Sequence, residues 1–261
     1  MQFVPNLNNK TPLVVMLVPL IDRDGRNVAV VIAKATFDIE PEGHLRLSQQ
    51  QEPIRFVDDP VGPEARVPAD LTDFKPATDI VIVAPRAAEA RRALHGRTIG
   101  MRVGALQVVK KVRDPWPFGP LPRHEEPRRS WAGTYNEAWV KHRMPLLPLD
   151  FDPRYSLAAP ADQRIAAYLR GDEQVAVAKL YDFGDARFSL PARAVVVSGN
   201  VLQRQFTAVA ALDTMLLWAE APRLTLVWRH VIRPRQKIEE VSNVHVNLAR
   251  LKNVRELYAI P

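Results

Sequence analysis

The chain has 261 residues, of which 47% are apolar, and a formal net charge of +7 at pH 7. That size and composition support a substantial buried core, arranged as one large domain or as two closely packed lobes. Cysteine is absent, which excludes disulfides, thiolate metal sites and thiol enzymes. The positive charge is compatible with an anionic partner, an acidic protein surface or simple solubility.

The first strand signal is the apolar run at residues 12–21, PLVVMLVPLI. It is far shorter than the roughly 20 residues that a membrane-spanning helix needs. No small-residue cleavage pattern follows it, since the next residues are Asp22, Arg23 and Asp24. We therefore predict a buried β-strand rather than a signal peptide, and a soluble cytoplasmic protein with no membrane partner.

Residues 27–39 (NVAVVIAKATFDI) predict a long strand, because β-branched residues are frequent and one alternating set of side chains is wholly apolar. The other set begins apolar and becomes polar from Lys34 onward. We expect this strand to be buried on both faces at its start and to emerge into solvent at its far end. The preceding pair Asp24-Gly25 predicts a tight hairpin turn.

Many more short strands are predicted along the chain, with turn residues between them. They are residues 44–47, 79–84, 98–103, 106–112, 174–181, 192–197, 201–209, 214–218 and 223–233. Helical patterns occur only at residues 161–170, which Gly171 can end, and at residues 86–94. This pattern predicts a mainly β fold of antiparallel sheets, sandwich-like or a partly open barrel, with one or two short helices.

Prolines are concentrated in two stretches without strand alternation. Of the 23 prolines, six lie within residues 51–85 and eight within residues 112–154. We predict long ordered loops, which are uncommon in compact domains and often functional. The chain is then a single domain over residues 1–261, or two β lobes (about 1–112 and 155–261) joined by the second proline-rich stretch.

A pair of aspartates in the second stretch, PLDFDPRY, raises the question of chemistry. Asp150 and Asp152 flank Phe151, and paired carboxylates can bind metal or transfer protons. Metal binding needs more oxygen ligands or histidines nearby, whereas aspartates beside prolines commonly fix turns by bonding to backbone amides. We predict a structural loop made by these three residues. A hydrolase that uses both aspartates as acids is the alternative left open.

Other signatures of chemistry are absent from the sequence. The six histidines do not have zinc-protease spacing. No GxSxG nucleophile elbow, dinucleotide fingerprint or phosphate loop occurs. We predict no catalytic residue, no metal site and no cofactor.

Basic residues cluster at positions 86–97, 110–113 and 123–129, and aromatic residues accompany the last cluster. Such a mixture has three interpretations. The tryptophans can anchor the loop in the core, the residues can form a protein interface, or they can bind single-stranded nucleic acid. We rank the interpretations in that order.

Several stretches, which occur in a consistent order, carry a resemblance to a known family. They are GRNVAVVIAKATFDIEPEGHLRLSQQQEPI (25–54), PADLTDFKPATDIVIVA (68–84), AGTYNEAW (132–139), RMPLLPLDFDPRYSLAAPADQ (143–163) and LDTMLLWAEAPRLTLVWR (212–229). Together they resemble a bacterial domain-of-unknown-function family linked to type VI secretion. Residues 112–131 depart from it, because they lack an aromatic- and glycine-rich piece that many members carry before the AGTY stretch.

The resemblance implies a function that composition and periodicity do not show. Members of the family are encoded beside valine-glycine-repeat spike proteins and secreted toxins, and are understood as adaptors or chaperones that help load a toxin onto the spike. This implies a non-enzymatic protein with an effector toxin, and also the spike, as partners. A nucleic-acid-binding module remains the main alternative, ahead of the hydrolase.

For that role we predict a partner-binding surface in the second proline-rich stretch. Its aromatic residues are Trp131, Tyr135 and Trp139, and Arg128 and Arg129 are its rim charges. The prediction follows from the enrichment of tryptophan, tyrosine and arginine in interface hot spots.

Overall fold

A computed structural model describes residues 6–60 and 66–258, which form sixteen β-strands, four α-helices and three short 3-10 helices. The strands are β1 (Leu7–Asn9), β2 (Val14–Ile21), β3 (Asn27–Ile39), β4 (Leu45–Leu47), β5 (Asp59–Pro60), β6 (Arg66–Val67), β7 (Asp79–Val83), β8 (Thr98–Val103), β9 (Leu106–Lys111), β10 (Gln174–Tyr181), β11 (Gly184–Ser189), β12 (Arg193–Val201), β13 (Arg204–Val209), β14 (Ala211–Trp218), β15 (Arg223–Ile232) and β16 (Val241–Arg250). The α-helices are α1 (Ala88–Leu94), α2 (Arg128–Trp131), α3 (Glu137–His142) and α4 (Leu251–Tyr258), and the 3-10 helices are Pro153–Ser156, Ala161–Gln163 and Ile238–Glu240. The prediction of a mainly β fold is confirmed.

The strands form three larger sheets and the small β5-β6 pair. Sheet one has the order β2-β3-β15-β14-β7, with β4 paired to β3; sheet two is β1-β16-β12-β13; sheet three is β11-β10-β8-β9. Most neighbouring strands are antiparallel, but β7 is parallel to β14 and β1 is parallel to β16. Sheets one and two are therefore mixed, and strands from both halves of the chain meet in sheet one.

Strand β3 is buried along nearly its whole length, because β2 and β15 cover its two edges and other elements cover both its faces. One alternating set, which includes Ala29, Val31 and Ala33, faces the main core with side chains from all three sheets. The opposite set, which includes Val28 and Ile32, belongs to a second apolar cluster. A strand packed on two apolar clusters shows the near-continuous apolar run that its sequence has.

The far end of β3, where Lys34 and Thr36 lie, is also buried, so the prediction that it emerges into solvent is wrong. The first proline-rich stretch folds over it. The Gln51 side chain accepts a hydrogen bond from the Thr36 amide and donates one to the Thr36 carbonyl, each 2.9 Å long. The Lys34 ammonium donates to Asp70 at 2.8 Å and to the Pro53 carbonyl at 2.7 Å. Burial lowers the pKa of Lys34 to about 8, and the Asp70 carboxylate opposes that shift.

One of the two helix predictions is confirmed, as α1, and the other is wrong. Within residues 161–170 only the 3-10 helix Ala161–Gln163 forms. The chain beyond it is drawn onto sheet one, where Leu169 makes an isolated bridge to Leu212 and its amide donates to the Thr78 hydroxyl at 2.7 Å. Tertiary hydrogen bonds here override helical propensity.

In the part of the chain that the structure describes, no helix is long and apolar enough to cross a membrane.

Candidate functional site

The second proline-rich stretch and the residues that follow it, up to Gln163, pack along the outer edge of sheet one. We call this region, residues 112–163, the cover. Strand β7 is the edge strand there. The Gln163 amide donates to the Ile80 carbonyl at 3.0 Å, and the Trp116 indole donates to the Ile82 carbonyl at 2.7 Å. An open apolar edge strand is a template for pairing with another chain. Side chains of the cover therefore donate hydrogen bonds to the carbonyls of this edge strand, in place of a further strand.

A buried aspartate at the start of β7 holds the end of the cover in place. The Asp79 carboxylate accepts hydrogen bonds from the Ala158 amide at 2.9 Å and the Ala159 amide at 2.7 Å. It also accepts one from the Lys75 ammonium at 3.1 Å. A carboxylate at this depth is tolerated because its oxygens have charged and backbone donors.

Arg128 is not a rim charge, since only 1% of it is exposed. Its guanidinium donates to the carbonyls of Leu121 and Tyr155, the latter at 2.8 Å. Burial lowers the pKa of Arg128, and no carboxylate among the described residues lies within 4 Å of it. Its role is to join two parts of the cover. Arg129 is exposed and bonds to Glu126 at 3.0 Å, and its role as a rim charge stays a prediction.

The two tryptophans predicted to bind a partner are half-buried and hold the cover together. The Trp131 ring has the guanidinium groups of Arg154 and Arg164 at 5.0 and 4.6 Å from its centroid. The Trp139 indole donates to the Leu146 carbonyl at 2.8 Å, and its ring meets the Tyr135 ring edge-on with a centroid separation of 4.8 Å. Cation–π and edge-to-face contacts of this kind fix ring orientation.

Residues 134–150, which contain α3, form a loop with joined ends that we call the cap loop. The Asp150 carboxylate accepts hydrogen bonds from the Thr134 amide at 3.0 Å and from the Thr134 hydroxyl at 2.7 Å. Gly133, with a φ of +82°, is needed beside this junction because a Cβ there would lie 2.8 Å from the Pro148 side chain. The junction closes the loop without any strand pairing.

The second aspartate fixes the turn that follows. Asp152 accepts hydrogen bonds from the Arg154 amide at 2.9 Å and from the Arg154 guanidinium at 2.8 Å. Phe151, between the aspartates, is half-buried near the Tyr155 ring. Hydrogen bonds from Thr134 lower the pKa of Asp150, and those from Arg154 lower the pKa of Asp152. Asp152 therefore fixes a local turn, and Asp150 joins the two ends of the cap loop.

Four large apolar side chains of the cap loop are exposed. They are Tyr135 (54%), Val140 (58%), Met144 (61%) and Leu149 (82%). The backbone that carries them is held by the junction at Asp150 and by the indole of Trp139. Because all four lie within one hydrogen-bonded loop, the cap loop is a candidate protein-interaction site.

The cap loop is docked on the tip of the β2–β3 hairpin. The Arg143 guanidinium donates to the Arg23 carbonyl, and a Cβ on Gly25 would lie 2.9 Å from Leu146. Beside this contact a cleft of about 570 Å³ opens between the hairpin tip, residues 68–75 and the cover. Its charged lining residues are Asp22, Arg23, Asp24, Arg26, Asp73, Lys75, Arg123, Arg128 and Arg233, and its large apolar ones include Ile21, Phe74, Leu147, Phe151 and Tyr155.

Several cations of the predicted basic clusters already have acidic partners. The Arg123 guanidinium bonds to Asp58 at 2.8 and 3.0 Å. Lys110 bonds to Asp162 at 2.7 Å, and Arg92 to Glu89 at 3.0 Å across one turn of α1. These pairs reduce the positive charge available to nucleic-acid phosphates. Among the described residues, no group of three or more histidine, aspartate and glutamate side chains is placed to hold a metal ion.

The sequence pattern did not single out Asp79 or Gln163, and it covered Trp116 only by the general interpretation that the tryptophans of this stretch anchor the loop in the core. Asp79 gave the clearest available signal, since it is a carboxylate directly before the apolar run IVIVA. A charged residue at such a position is a candidate for a buried acceptor. Gln163 and Trp116 bond to main-chain carbonyls, and a carbonyl leaves no signature in the sequence.

Comparison with protein-family models gives a match to a family described as "Uncharacterized protein conserved in bacteria (DUF2169)", over residues 24–113 and 107–229. Comparisons with curated proteins and with solved structures found no match. The family's description names no activity or partner. The matched residues make up well over half of the chain and contain the cover, the cap loop and most of the cleft. The chain belongs to this bacterial family.

Proposed function

We propose that the protein is a non-enzymatic adaptor of type VI secretion, which binds an effector toxin in the cytoplasm and helps load it onto the valine-glycine-repeat spike. The observation that carries the proposal is the cap loop, with four exposed apolar side chains on a hydrogen-bonded frame. The identity of the cargo and of the spike rests on the resemblance of the five stretches quoted above.

The construction of the cap loop suits reversible binding of a folded polypeptide. Its ends are joined through Asp150, and its helix α3 is capped by Asn136, whose side chain accepts from the Trp139 amide at 2.9 Å. A surface ordered before binding loses little conformational entropy on docking. Tyr135, Met144 and Leu149 can each lose apolar surface to a partner, at about 25 cal/mol per Å² buried.

The proposal is tested by capture of cargo with matched variants. Tagged wild-type protein, produced in its own bacterium, is purified with its partners, which are identified by mass spectrometry. We expect a secreted toxin, with or without the spike protein. The double change Met144→Asp and Leu149→Asp is expected to reduce capture at least about tenfold, because two apolar contacts are lost.

The control carries the same charge change at exposed apolar positions outside the cap loop. Val109, on β9, and Leu202, in the β12–β13 turn, are 62% and 52% exposed. Changing both to aspartate should leave capture unchanged. Capture of nucleic acid in place of a toxin, or equal loss in both double variants, would show that the cap loop is not an adaptor surface.

A further inference from the structure

The cleft beside the cap loop carries an excess of positive charge. Six of its lining side chains are cationic, against three aspartates. The lysine and one arginine are neutralised from outside the lining, since Lys75 pairs with Asp79 and Arg123 with Asp58. The remaining four arginines face the three lining aspartates, which leaves a net excess of one positive charge.

Two of these arginines are exposed and have no carboxylate of the described chain in close contact. Arg26 is 74% exposed, and its nearest carboxylate, Asp24, is 3.9 Å away. Arg233 is also exposed, and no carboxylate among the described residues lies within 4 Å of it. Of the other two, Arg128 is buried and bonds to carbonyl acceptors, and the Arg23 guanidinium lies 3.7 Å from the Asp24 carboxylate. A concave site with unbalanced cations attracts and orients an anionic ligand.

The cleft also has an apolar component. Phe74 and Ile21 of its lining remain 40% and 62% exposed, and Leu147 and Phe151 also line it. Its volume of about 570 Å³ lies within the roughly 300–1,000 Å³ range of small-ligand sites. The cleft can therefore hold a few residues of an extended segment, but not a folded domain.

The ring of Tyr155, in the lining of the cleft, is already in contact with two guanidinium groups. The guanidinium carbons of Arg123 and Arg128 lie 5.5 and 5.4 Å from the Tyr155 ring centroid, and the Phe151 ring is 5.7 Å away. Single-stranded nucleic acid binds by stacking bases on free aromatic faces. With the Tyr155 ring occupied, Phe74 is the one exposed aromatic side chain of the described lining residues, and a single face favours a peptide over successive stacked bases.

We propose that the cleft binds a short acidic segment of a partner polypeptide. Carboxylates of the segment pair with Arg26 and Arg233, and an apolar side chain between them packs against Phe74. The inference deepens the proposed function, on which it rests for the partner being a protein. The inference adds that the cargo or the spike must offer a short acidic segment with an apolar side chain.

The test is direct binding to the purified full-length chain, measured by fluorescence anisotropy. The probe is a labelled peptide with free ends capped and the sequence EDFEDLED. A second peptide has lysine at every acidic position, and a third probe is a labelled oligothymidine. We expect only the acidic peptide to bind, with an affinity that falls as salt is raised, because exposed ion pairs are screened.

Charge reversal in the cleft is the matched comparison. Arg26→Glu with Arg233→Glu is expected to weaken binding of the acidic peptide at least about tenfold, since like charges then face each other. Arg204→Glu with Arg250→Glu makes the same change of net charge at exposed residues of sheet two that do not line the cleft. This control should bind as wild type. All these residues are exposed, so both variants should melt at the wild-type temperature.

Three results would overturn the inference: no binding of the acidic peptide, equal weakening in the two charge-reversal variants, or binding of the lysine peptide or oligothymidine as tight as that of the acidic one. Failure of the adaptor proposal is distinguishable. A protein that captures no toxin but binds the acidic peptide through Arg26 and Arg233 refutes the proposed cargo and supports the cleft. The variant with Met144→Asp and Leu149→Asp should still bind the peptide.

Discussion

Sheet one and the cover satisfy their backbone hydrogen bonds in different ways. In sheet one, β3 pairs with β15 in an unbroken register from Asp38 opposite Arg223 to Ala29 opposite Ile232. In the cover, backbone–backbone hydrogen bonds are confined to turns, short helices and isolated pairs such as Leu121 with Ala158. Side chains make further links between its segments and to the sheet, as Gln163 does to the Ile80 carbonyl and Arg128 to the Tyr155 carbonyl. The stability of the sheet is thus spread over many residues, whereas that of the cover depends on a few.

This difference predicts how each region responds to substitution. Loss of one contact in the sheet removes packing but leaves the strand ladder intact. Loss of one polar side chain in the cover leaves a buried donor or acceptor without a partner, which costs about 1–3 kcal/mol, and more for a charged group. The cover should therefore be the more sensitive region to single polar changes.

The largest effect is expected at Asp79, where the cover is attached to β7. Asp79→Asn leaves the Lys75 ammonium buried without its carboxylate and weakens the bonds from the amides of Ala158 and Ala159. We expect a loss of about 3–5 kcal/mol in the free energy of unfolding, the usual cost of breaking a buried ion pair. The measurement is urea denaturation, read from the midpoint at constant slope.

The control for this change is Asp182→Asn, because the Asp182 side chain is fully exposed. That variant should differ from wild type by no more than about 0.5 kcal/mol. Equal urea midpoints for the two variants would show that Asp79 does not hold the cover on the sheet.

An intermediate effect is expected at Lys34, a residue of β3 whose ammonium donates hydrogen bonds to the Pro53 carbonyl and the Asp70 carboxylate. Burial lowers its pKa in the folded protein to about 8, from 10.5. Between these pH values the unfolded chain holds the proton and the folded chain releases it, so the contribution of Lys34 to stability rises with pH. Relative to Lys34→Met, the wild type should gain on the order of 2 kcal/mol between pH 8 and pH 10.5.

The measurement for Lys34 is chemical denaturation of both proteins at several pH values in that window. Comparing the two removes the contributions of other titrating groups. Parallel stability profiles for wild type and Lys34→Met would mean that the lysine is not desolvated in the folded state.

The sheets were more predictable from the sequence than the cover, and the reason is the range of the interactions. Alternation within β3 and β15 is a local signal, so their positions followed from single segments. The burial of Lys34 depends on Asp70, thirty-six positions away, and therefore did not. The predicted helix at residues 161–170 failed for the same reason, since hydrogen bonds to Thr78 and a bridge to Leu212 decide its conformation.

The candidate site was predicted in part. The turn role of Asp152 could be predicted, because its donor, the Arg154 amide, is two positions away. The partner of Asp150 could not, because Thr134 is sixteen positions earlier in the chain. The burial of Arg128 could not, because its acceptors are the carbonyls of Leu121 and Tyr155. Nor could the cleft, which brings the β2–β3 hairpin tip beside residues more than a hundred positions away.

The smallest effect is expected at Trp116, and it tests whether the cover protects the sheet edge. Trp116→Phe keeps most of the ring packing but removes the indole donor to the Ile82 carbonyl. We expect a loss of about 1 kcal/mol and faster hydrogen–deuterium exchange confined to β7 and the adjacent cover. Trp139→Phe removes an equivalent indole donor, to the Leu146 carbonyl within the cap loop. It should speed exchange in the cap loop and leave β7 as protected as in wild type. If Trp116→Phe leaves exchange in β7 unchanged, the indole is a packing group only, and the edge of sheet one does not depend on the cover for its protection.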